Sequence, residues 1–433
     1  MFLQIFHFSS IADINSNKEE DVMNEVTCTF YDLKGVEIQN ISAEEGKIEV
    51  FGGLQDERQE CQNWGSNKVI FIGKSIRNFH LPPTGSKKAV LSILTRRNQC
   101  KECKSTWWPQ APFADGKQRM TKSFVRYALE LLQFGTVKDV AVHLGVSWDV
   151  IKDLHKNYLK EKYANVSLEN VTYISIDEFS IAKGHKYMTV ISDLKSGHIL
   201  HVVEGRKKSD IEPFLKMLKK KAKKLRAVAM DMSLSYRQAF EEELPSVDIV
   251  FDKFHVMQLV NKAVDLVRKL QIASLDGEGK KTLKGGRFLP LWNYEDLDQE
   301  SKVRLDKILE ANKPLFIIHS MKEQLRMFWH MNNKEQAAKY LRKWITDAIE
   351  ACHDYANVTG KRTLYPLRNL AFTLTRNFSG ILNYFEHFIT NGKAEGLNNK
   401  IKTLKRQAYG YRDMEYFKLR LYHLHVQKHL LAG

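Results

Sequence analysis

The feature that most constrains this sequence is an apolar stretch that ends on an acid, residues 173–179 (Tyr-Ile-Ser-Ile-Asp-Glu-Phe). Its apolar residues predict a buried strand, so Asp177 falls where that strand meets the edge of a sheet. Two further apolar runs, 187–193 and 198–203, follow with a turn at 195–197 between them, which predicts a meander. A chain built in this way must form a sheet that presents a carboxylate at its edge.

Two later predicted strands also end on acids. Residues 227–230 lead to Asp231 and residues 248–251 lead to Asp252, with helical stretches before each of them. Three strands, a helix, a strand, a helix and a strand are the order of a ribonuclease H-like domain, in which the first and fourth strands are neighbours. Asp177 and Asp231 are then expected to face each other. Either acid alone is more often a plain surface residue, but paired carboxylates are what divalent metals require.

The charge of the chain is unevenly distributed. Residues 1–60 carry 13 acids and 4 bases, a net charge of −9. Because the whole chain has a net charge of +16, residues 61–433 carry a net charge of +25. A body this basic predicts a polyanionic partner, and nucleic acid is favoured over a membrane surface.

The sequence gives little sign of export. No apolar run reaches the roughly 18 residues of a membrane span, and residues 1–8 are apolar but lack the cationic start of a signal peptide. Met23 is a second candidate for the first residue. Five cysteines in 433 residues do not form a disulfide framework, which indicates a reducing, cytoplasmic compartment.

Three of the cysteines predict a zinc-ribbon-like module. Cys100 and Cys103 form a Cys-x-x-Cys turn, and Cys61 would begin the matching turn, but Trp64 stands where its second cysteine is expected. Three thiolates therefore remain for zinc, with His80 as a conceivable fourth ligand. A ribbon that binds zinc and a ribbon held together by packing alone both stay open.

From residue 121 the apolar period becomes helical. Two short helices are followed by the turn 145–147 and a third helix, which predicts a helix-turn-helix whose last helix enters the major groove of DNA. Ordinary helical hairpins share this pattern. The outward residues of the last helix, and hence the candidate DNA contacts, include Trp148, Lys152 and Lys156.

Residues 256–390 are predicted to be helical, and Trp292, Trp329 and Trp344 are interpreted as core residues of this region more readily than as base-stacking platforms. A final helix opens near residue 390. Glu395 lies in its first turn, where the helix dipole favours an acid. At spacings of three and four, polar and basic side chains fall on the same side as Glu395: Asn398, Asn399, Lys402 and Arg406. Such a face suits a metal ion with a phosphate backbone beside it, although a solvated polar face has the same pattern.

These segments resemble the transposases of bacterial insertion sequences, specifically the ISL three family with its Asp-Asp-Glu triad. The resemblance covers nearly all of residues 50–425. The matching segments are Ile-Asp-Glu-Phe-Ser (176–180), Gly-His-Lys-Tyr (184–187), Met-Asp-Met (230–232) with Tyr236, Phe-Asp-Lys-Phe-His-Val (251–256), Glu-Gly-Leu-Asn-Asn-Lys-Ile-Lys (395–402) and Ala-Tyr-Gly (408–410).

The resemblance implies a chemistry and a substrate. Asp177, Asp231 and Glu395 would be the catalytic ligands of two Mg²⁺ ions, which Mn²⁺ can replace. Asp252 and His255 match an Asp-x-x-His element near the active site of related transposases. Such enzymes cut DNA at the terminal inverted repeats of the element and join the freed end to target DNA. They usually act as homo-oligomers on DNA, and in a bacterium this chain would associate with the nucleoid.

The predicted fold class is a multidomain α/β protein, in which the weakly alternating, glycine-containing residues 24–60 form short strands and turns. Its parts are an N-terminal acidic segment (1–55), a zinc-ribbon-like DNA-binding module (56–112), a helix-turn-helix domain (117–165), the first part of a ribonuclease H-like core with a mixed five-stranded sheet (170–256), an all-helical insertion (257–389) and the last helix of the core (390–430). Two other functions are a nuclease or resolvase that does not join strands, and a DNA-binding regulator or inactive transposase derivative that uses only the N-terminal modules.

Overall fold

A computed structural model describes residues 16–116, 118–182, 186–274 and 286–425. The apolar start at residues 1–8 and Gly184-His185 of one matching segment lie outside the described residues. The chain divides into two compact units, the first within Met1–Lys162 and the second spanning Tyr163–His425. Within the described ranges, no helix has both the length and the apolar character needed to cross a bilayer.

The first unit is built on a five-stranded mixed sheet that contains one long hairpin. Its strands are β1 (Val36–Glu44), β2 (Lys47–Leu54), β3 (Val69–Thr84), β4 (Lys87–Cys100) and β5 (Thr106–Trp107). The order is β1-β2-β4-β3, with β5 also paired to β4; β2 and β4 run parallel and the other pairs are antiparallel. Buried Val50, Leu91 and Ile93 pack with Phe79, whose ring meets that of Phe113 edge-on at 5.1 Å.

A helix precedes this sheet where the sequence predicts only short strands and turns. Helix α1 (Ser16–Tyr31) continues well into the acidic N-terminal segment. Thr27 and Tyr31 lie one turn apart and are both buried. The prediction for residues 24–31 was wrong because one of the two inward positions is a threonine, a β-branched polar residue that hides the helical period.

Three helices follow in the first unit as predicted: α2 (Lys122–Leu131), α3 (Val137–Leu144) and α4 (Trp148–Lys162). Thr136 and Asp139 form a capping box at the start of α3, which pairs two backbone donors that the helix leaves open. Gly145 ends α3 with φ 65°, a left-handed conformation that glycine adopts without strain. Ser147 then accepts the backbone N–H of Val150 at 3.4 Å and begins α4.

The second unit contains the predicted five-stranded sheet. Its strands are β6 (Tyr173–Ala182), β7 (Lys186–Asp193), β8 (Ile199–Glu204), β9 (Ala227–Met230) and β10 (Asp248–Phe251), in the order β10-β9-β6-β7-β8. The predicted adjacency of the first and fourth strands is confirmed, because β6 pairs with β9 in parallel. Helices α5 (Lys208–Lys221) and α6 (Leu234–Glu243) connect β8 to β9 and β9 to β10.

After β10 the described part of the second unit is helical, as the sequence predicts. The elements are α7 (Lys253–Ser274), short 3₁₀ turns at Leu289–Leu291 and Tyr294–Asp296, α8 (Gln299–Glu310), α9 (Lys313–Phe328), α10 (Lys334–Thr359), α11 (Tyr365–Arg376), α12 (Phe378–Leu382), α13 (Tyr384–His387), α14 (Gly392–Gln407), α15 (Met414–Tyr422) and a 3₁₀ turn at His423–His425. The single last helix predicted for residues 390–430 is therefore two helices. They break at Gly410, whose φ is 100°.

The tryptophans of this helical region do not all join its core. Trp344 is 2% exposed and donates its indole N–H to the carbonyl of Met321 at 2.8 Å. Trp329 is half-buried, whereas Trp292 is 57% exposed. The core assignment was wrong for Trp292, because it follows a 3₁₀ turn and not a helix with an inward face.

Candidate active site

The register of the sheet brings two predicted acids to one level. The parallel β6–β9 ladder ends with the pair Ser175 and Ala229, and Asp177 and Asp231 each follow two residues later. Both residues stand at the carboxyl ends of their paired segments, where open α/β sheets form ligand sites. The carboxylate of Asp231 accepts the N–H of Ser233 at 3.2 Å, which keeps the residue in the turn that follows β9.

Helix α14 brings the third predicted acid to the same region. Its buried residues Leu397 and Ile401 pack on Phe179 of β6, and Phe179 shares a face with Asp177 because strand side chains alternate. Next to Leu397, the amide Nδ2 of Asn398 donates to Oδ2 of Asp177 at 2.7 Å. Asn398 therefore links α14 directly to the first of the predicted acids.

A cavity of about 240 Å³ lies between the start of α7 and helix α14. Asp177 lines it from the sheet. The start of α7 contributes Asp252, Phe254, His255 and Gln258, and the α14 side contributes Asn391, Glu395, Asn398, Asn399 and Lys402. Asp177 and Glu395 thus share one cavity, while neither Asp231 nor Arg406 is among the described residues that line it.

The electrostatics of Asp177 reflect burial among like charges. The pKa of its carboxyl is raised to about 6, chiefly by burial and also by the negative charges of Asp231 and Glu178, while the N–H of Glu178, which bonds Oδ1 at 2.8 Å, opposes the rise. The charge of Asp231 thus acts on Asp177 across the ladder, although it does not line the cavity. A cation beside these carboxylates would offset the cost of ionising Asp177.

Asp252 and His255 lie side by side at the start of α7. Asp252 is 5% exposed, and its N–H bonds the carbonyl of Met230, the residue before Asp231, at 3.2 Å. Nδ1 of His255 lies 3.6 Å from Oδ2 of Asp252. The Asp252 carboxylate raises the pKa of the imidazole, and the charges of Asp231 and Asp177 act in the same direction.

The three predicted metal ligands do not form a closed cluster. Among the described residues, the groups of three or more potential ligand atoms within 4.8 Å of one another are Cys61 with Cys100 and Cys103, and Asp248 with Glu386 and His387. The carboxylates of Asp177, Asp231 and Glu395 therefore do not all lie within 4.8 Å of one another. Open sites of this kind leave space for waters and substrate around a hydrated ion such as Mg²⁺.

Three of the five cysteines, Cys61, Cys100 and Cys103, lie together at the open end of the β3–β4 hairpin. Cys61 and Cys100 are buried, and Sγ of Cys61 lies 3.5 Å from Sγ of Cys103. The hydroxyl of Ser105 lies 2.9 Å from Cys103 and 3.5 Å from Cys61, and its hydrogen bond lowers the pKa of Cys61 to about 7. His80 does not join this group, because it pairs with Val90, ten residues along β4 from Cys100.

The predicted DNA contacts lie on α4 and α14. Trp148 is 47% exposed, and Nζ of Lys152 stands over its indole ring at 5.3 Å. Lys156 is half-buried on the same helix, and Arg406 is exposed near the end of α14. Ile151 and Leu154 are buried, so the predicted division of α4 into an inner and an outer face is confirmed.

No sequence pattern indicated a role for Asn391, Phe254 or Gln258, which also line the cavity. Asn391 lies four residues before Glu395, and this i, i+4 spacing was the signal available for it. Phe254 and Gln258 lie close to His255 at the start of α7, and their contact with the cavity depends on how the helices pack, which spacing in the sequence does not give.

Comparison with known proteins identifies the family. The ISL3 transposase family model matches residues 174–421, and a model of the helix-turn-helix domain of transposase family ISL3 matches residues 109–158. The transposase for insertion sequence element IS1001 of Bordetella parapertussis is 30% identical over 365 residues, which cover 83% of this chain and 87% of that relative.

Other similar proteins are also transposases. The transposase for insertion sequence element IS1557 of Mycobacterium tuberculosis is 26% identical over 267 residues, which cover 56% of this chain and 57% of that relative. A solved structure, the Drosophila P element transposase strand transfer complex, aligns with a TM-score of 0.36 at 12% identity over 72% of this chain and 94% of that one. The family matches above confirm the resemblance seen in the sequence: the chain belongs to the ISL3 family of insertion sequence transposases and is a DNA-binding enzyme of that family.

Proposed function

We propose that this transposase cuts DNA and transfers the strand by Mg²⁺-dependent phosphoryl transfer, with Asp177, Asp231 and Glu395 as the metal ligands. The observation that carries the proposal is the shared cavity of Asp177 and Glu395, which are 218 positions apart in the sequence. Asp231 directly follows β9, the strand adjacent to β6, and its charge acts on Asp177.

The donor set fits a hard divalent cation. The candidate ligands are carboxylate oxygens, and burial together with mutual repulsion makes the ionised form of Asp177 costly unless a cation is near. When bound, a pair of Mg²⁺ or Mn²⁺ ions activates the attacking oxygen and stabilises the leaving oxygen. The chain's own contribution is to hold the carboxylates: Asn398 orients Asp177, and Asp252 with His255 lines the opposite wall.

The proposal includes a ribonuclease H-like core. The strand order β10-β9-β6-β7-β8, with α5 and α6 as the connections to the parallel strands, supports it. The helical stretch between β10 and α14 is then an insertion that separates Asp231 from Glu395 along the chain. The domain boundaries predicted from residue 117 onward are part of this proposal, whereas the boundary predicted at residue 55 would separate β2 from β4, to which it is paired.

The substrate is proposed to be the terminal inverted repeats of the insertion sequence, followed by target DNA. Trp148, Lys152 and Lys156 on α4 would contact the repeats, and Asn398, Lys402 and Arg406 would contact the backbone of the strand being cut. The net charge of +25 outside residues 1–60 supports binding to a polyanion. We further propose that the chain acts as a homo-oligomer across two DNA ends and associates with the nucleoid.

Zinc in the ribbon-like module is a separate part of the proposal. Structural zinc sites have four protein ligands, and Cys61, Cys100 and Cys103 supply three thiols within 4.8 Å of one another. The hydroxyl of Ser105 touches two of these thiols, whereas Trp64, at the position of the expected fourth cysteine, is 72% exposed. Three of the four ligands of a structural zinc site are therefore present. A zinc ion bound by these three thiolates would hold the end of the hairpin together.

The test uses duplex DNA that carries the inverted repeats bracketing the reading frame, purified full-length chain and Mg²⁺. Asp231→Ala should lower the cleavage rate by about 10³-fold or more, ~4 kcal/mol of barrier. Asp193→Asn is the matched control, since Asp193 also ends a strand of this sheet but pairs with Ile174 at the opposite edge. Its amide oxygen can still accept the N–H of Ser196, and the bond from Lys195 that is lost lies in an exposed turn, so cleavage should be unchanged.

The products separate the candidate functions. Cleavage followed by joining to target DNA supports the transposition chemistry, and cleavage without joining supports a nuclease or resolvase. A wild-type chain that binds the repeats but is as inert as Asp231→Ala would mean that this copy acts as a DNA-binding regulator or an inactive derivative.

A further inference from the structure

The residue before helix α14, Asn391, has an unusual environment. Its side chain is 2% exposed, and neither Nδ2 nor Oδ1 has a hydrogen-bond partner among the described protein groups. It occupies the N-cap position, and its carbonyl accepts the N–H of Glu395 at 3.1 Å. Its side chain nevertheless makes no capping bond, although capping is the usual role of an asparagine at this position.

Another buried N-cap asparagine in the same unit shows the usual arrangement. Asn312, 5% exposed at the start of α9, accepts the N–H of Leu315 at 3.1 Å and donates to Oε1 of Gln271 at 3.1 Å. Folded proteins pair nearly all buried polar groups, because leaving them unpaired costs their full desolvation. The two atoms of Asn391 line the cavity of Asp177 and Glu395, so their partner is expected to be a ligand of that cavity.

The chemistry of the carboxamide indicates which ligand. Nδ2 is an uncharged donor, so it can meet an anion without competing with a cation for the neighbouring carboxylates, as a lysine would. The non-bridging oxygens of a phosphodiester are acceptors of this kind. Lys402, which lines the same wall of the cavity, adds a positive charge that favours a phosphate there.

We propose that Asn391 is a substrate-binding residue of the active site, whose Nδ2 donates to a non-bridging oxygen of the phosphate that is cut. This inference rests on the proposed function, since it requires that the cavity of Asp177 and Glu395 receives the scissile strand. It makes the start of α14 a phosphate-binding element as well as the carrier of Glu395.

The test compares shape-matched variants of the two asparagines in the full-length chain. Asn391→Leu removes the donor and should lower the single-turnover cleavage rate of terminal-repeat DNA by about 10²-fold, the usual effect of one donor to a reacting group. Its melting temperature should stay the same or rise, because an unpaired polar group has been removed. Asn312→Leu should show the reverse, a lower melting temperature with an unchanged cleavage rate. Asn391→Asp should cleave at least as poorly as Asn391→Leu, since it faces the phosphate with a negative charge.

Sulfur substitution identifies the contact itself. Each non-bridging oxygen of the scissile phosphate is replaced by sulfur in turn, and the rate is measured for wild type and Asn391→Leu. At the oxygen that accepts from Nδ2, the sulfur effect should be several-fold smaller in the variant, because the two changes remove the same interaction.

Each other outcome has a distinct meaning. Wild-type cleavage rates in Asn391→Leu, or sulfur effects that multiply fully at both oxygens, would overturn the role of Asn391 and leave the proposed function standing. Failure of Asn391→Leu to fold would give Asn391 the structural role of Asn312 and also overturn the inference. A wild-type chain that binds the repeats but does not cleave them would overturn the proposed function, and this inference with it.

Discussion

The molecule has two candidate metal sites, and they are assembled in opposite ways. The thiols of Cys100 and Cys103 come from one turn at the end of β4, and Cys61 meets them at the open end of the same hairpin. The carboxylates of Asp177, Asp231 and Glu395 come from two strands and a helix that are distant in the sequence. The first site depends on local turn geometry, whereas the second exists only when the whole second unit has folded.

The two cysteine turns make this difference concrete. Gly65 donates its N–H to the carbonyl of Cys61 at 2.7 Å, and Lys104 donates to the carbonyl of Cys100 at 3.0 Å. Both donors adopt a left-handed φ, 60° for Gly65 and 58° for Lys104. The turn at Cys61 thus has the same backbone conformation as the turn at Cys100, although Trp64 stands where a cysteine is expected. A local site can lose one ligand and keep its geometry.

The largest expected effect follows from that preserved backbone. Trp64→Cys should place a fourth thiol at the cluster and raise the affinity for zinc by about 10²-fold, ~3 kcal/mol, roughly a quarter of the free energy of a complete structural site. Trp64 is 72% exposed, so its loss should cost little stability. The measurement is zinc competition against a chromophoric chelator on the full-length chain.

Cys100→Ser is the matched control for this prediction, and it should lose zinc binding by a comparable factor or more. If Trp64→Cys binds zinc no better than wild type, the first turn does not point its fourth position at the cluster. The cysteine site would then depend on more of the fold than the hairpin, and the contrast between the two sites would fail.

The same contrast explains what the sequence could predict. Strands β6 to β10 and helices α2 to α4 were predictable because each has its own apolar period and its own turn residues, such as Thr136 and Gly145. Asp177 and Asp231 could be predicted to lie near each other because the strand order makes β6 and β9 neighbours. The role of Glu395 could be predicted only from the resemblance to a family, because the number of residues between Glu395 and the strands does not determine how close they lie in space.

The residues that the sequence did not predict depend on packing. Thr27 and Tyr31 of α1 are buried in the first unit, but no helical period of apolar residues in the sequence predicts their burial. Asn391 has the spacing of a cap, and only its packed position shows that both polar atoms are unpaired. Burial is a property of the assembled fold, and it decides the role of such residues.

The carboxylate site should respond to pH and metal where the cysteine site does not. The pKa of Asp177 is raised from 3.8 to about 6, chiefly by burial. In the metal-free protein, ionisation of Asp177 therefore lowers the free energy of unfolding as the pH rises from about 4 to about 6. Asp177→Asn should therefore stabilise the metal-free chain by up to about 3 kcal/mol at pH 7, and the gain should disappear near pH 4. Denaturant unfolding at the two pH values measures it.

Magnesium should narrow this difference in stability. At ten times its Kd, Mg²⁺ should stabilise the wild-type chain by ~1.4 kcal/mol and have little effect on Asp177→Asn, which lacks a ligand. Equal stabilisation of both proteins would mean that the ion binds elsewhere, and the carboxylates would not form the assembled site described here.

The smallest expected effect concerns helix α4, which is a local element like the cysteine turns. Lys152→Gln should weaken binding to terminal-repeat DNA by about 1 kcal/mol and reduce the slope of log affinity against log salt by about 1, because one phosphate contact is lost. Lys339→Gln is the control, since Lys339 is exposed on α10 and pairs with Glu335 at 2.9 Å. Fluorescence anisotropy over a salt series measures both. If Lys339→Gln changes the slope as much as Lys152→Gln, DNA binding is spread over the basic surface and is not a property of one helix. If only Lys152→Gln changes the slope, recognition of the repeats depends on a local element, as the cysteine site does, and only the chemistry requires the assembled fold.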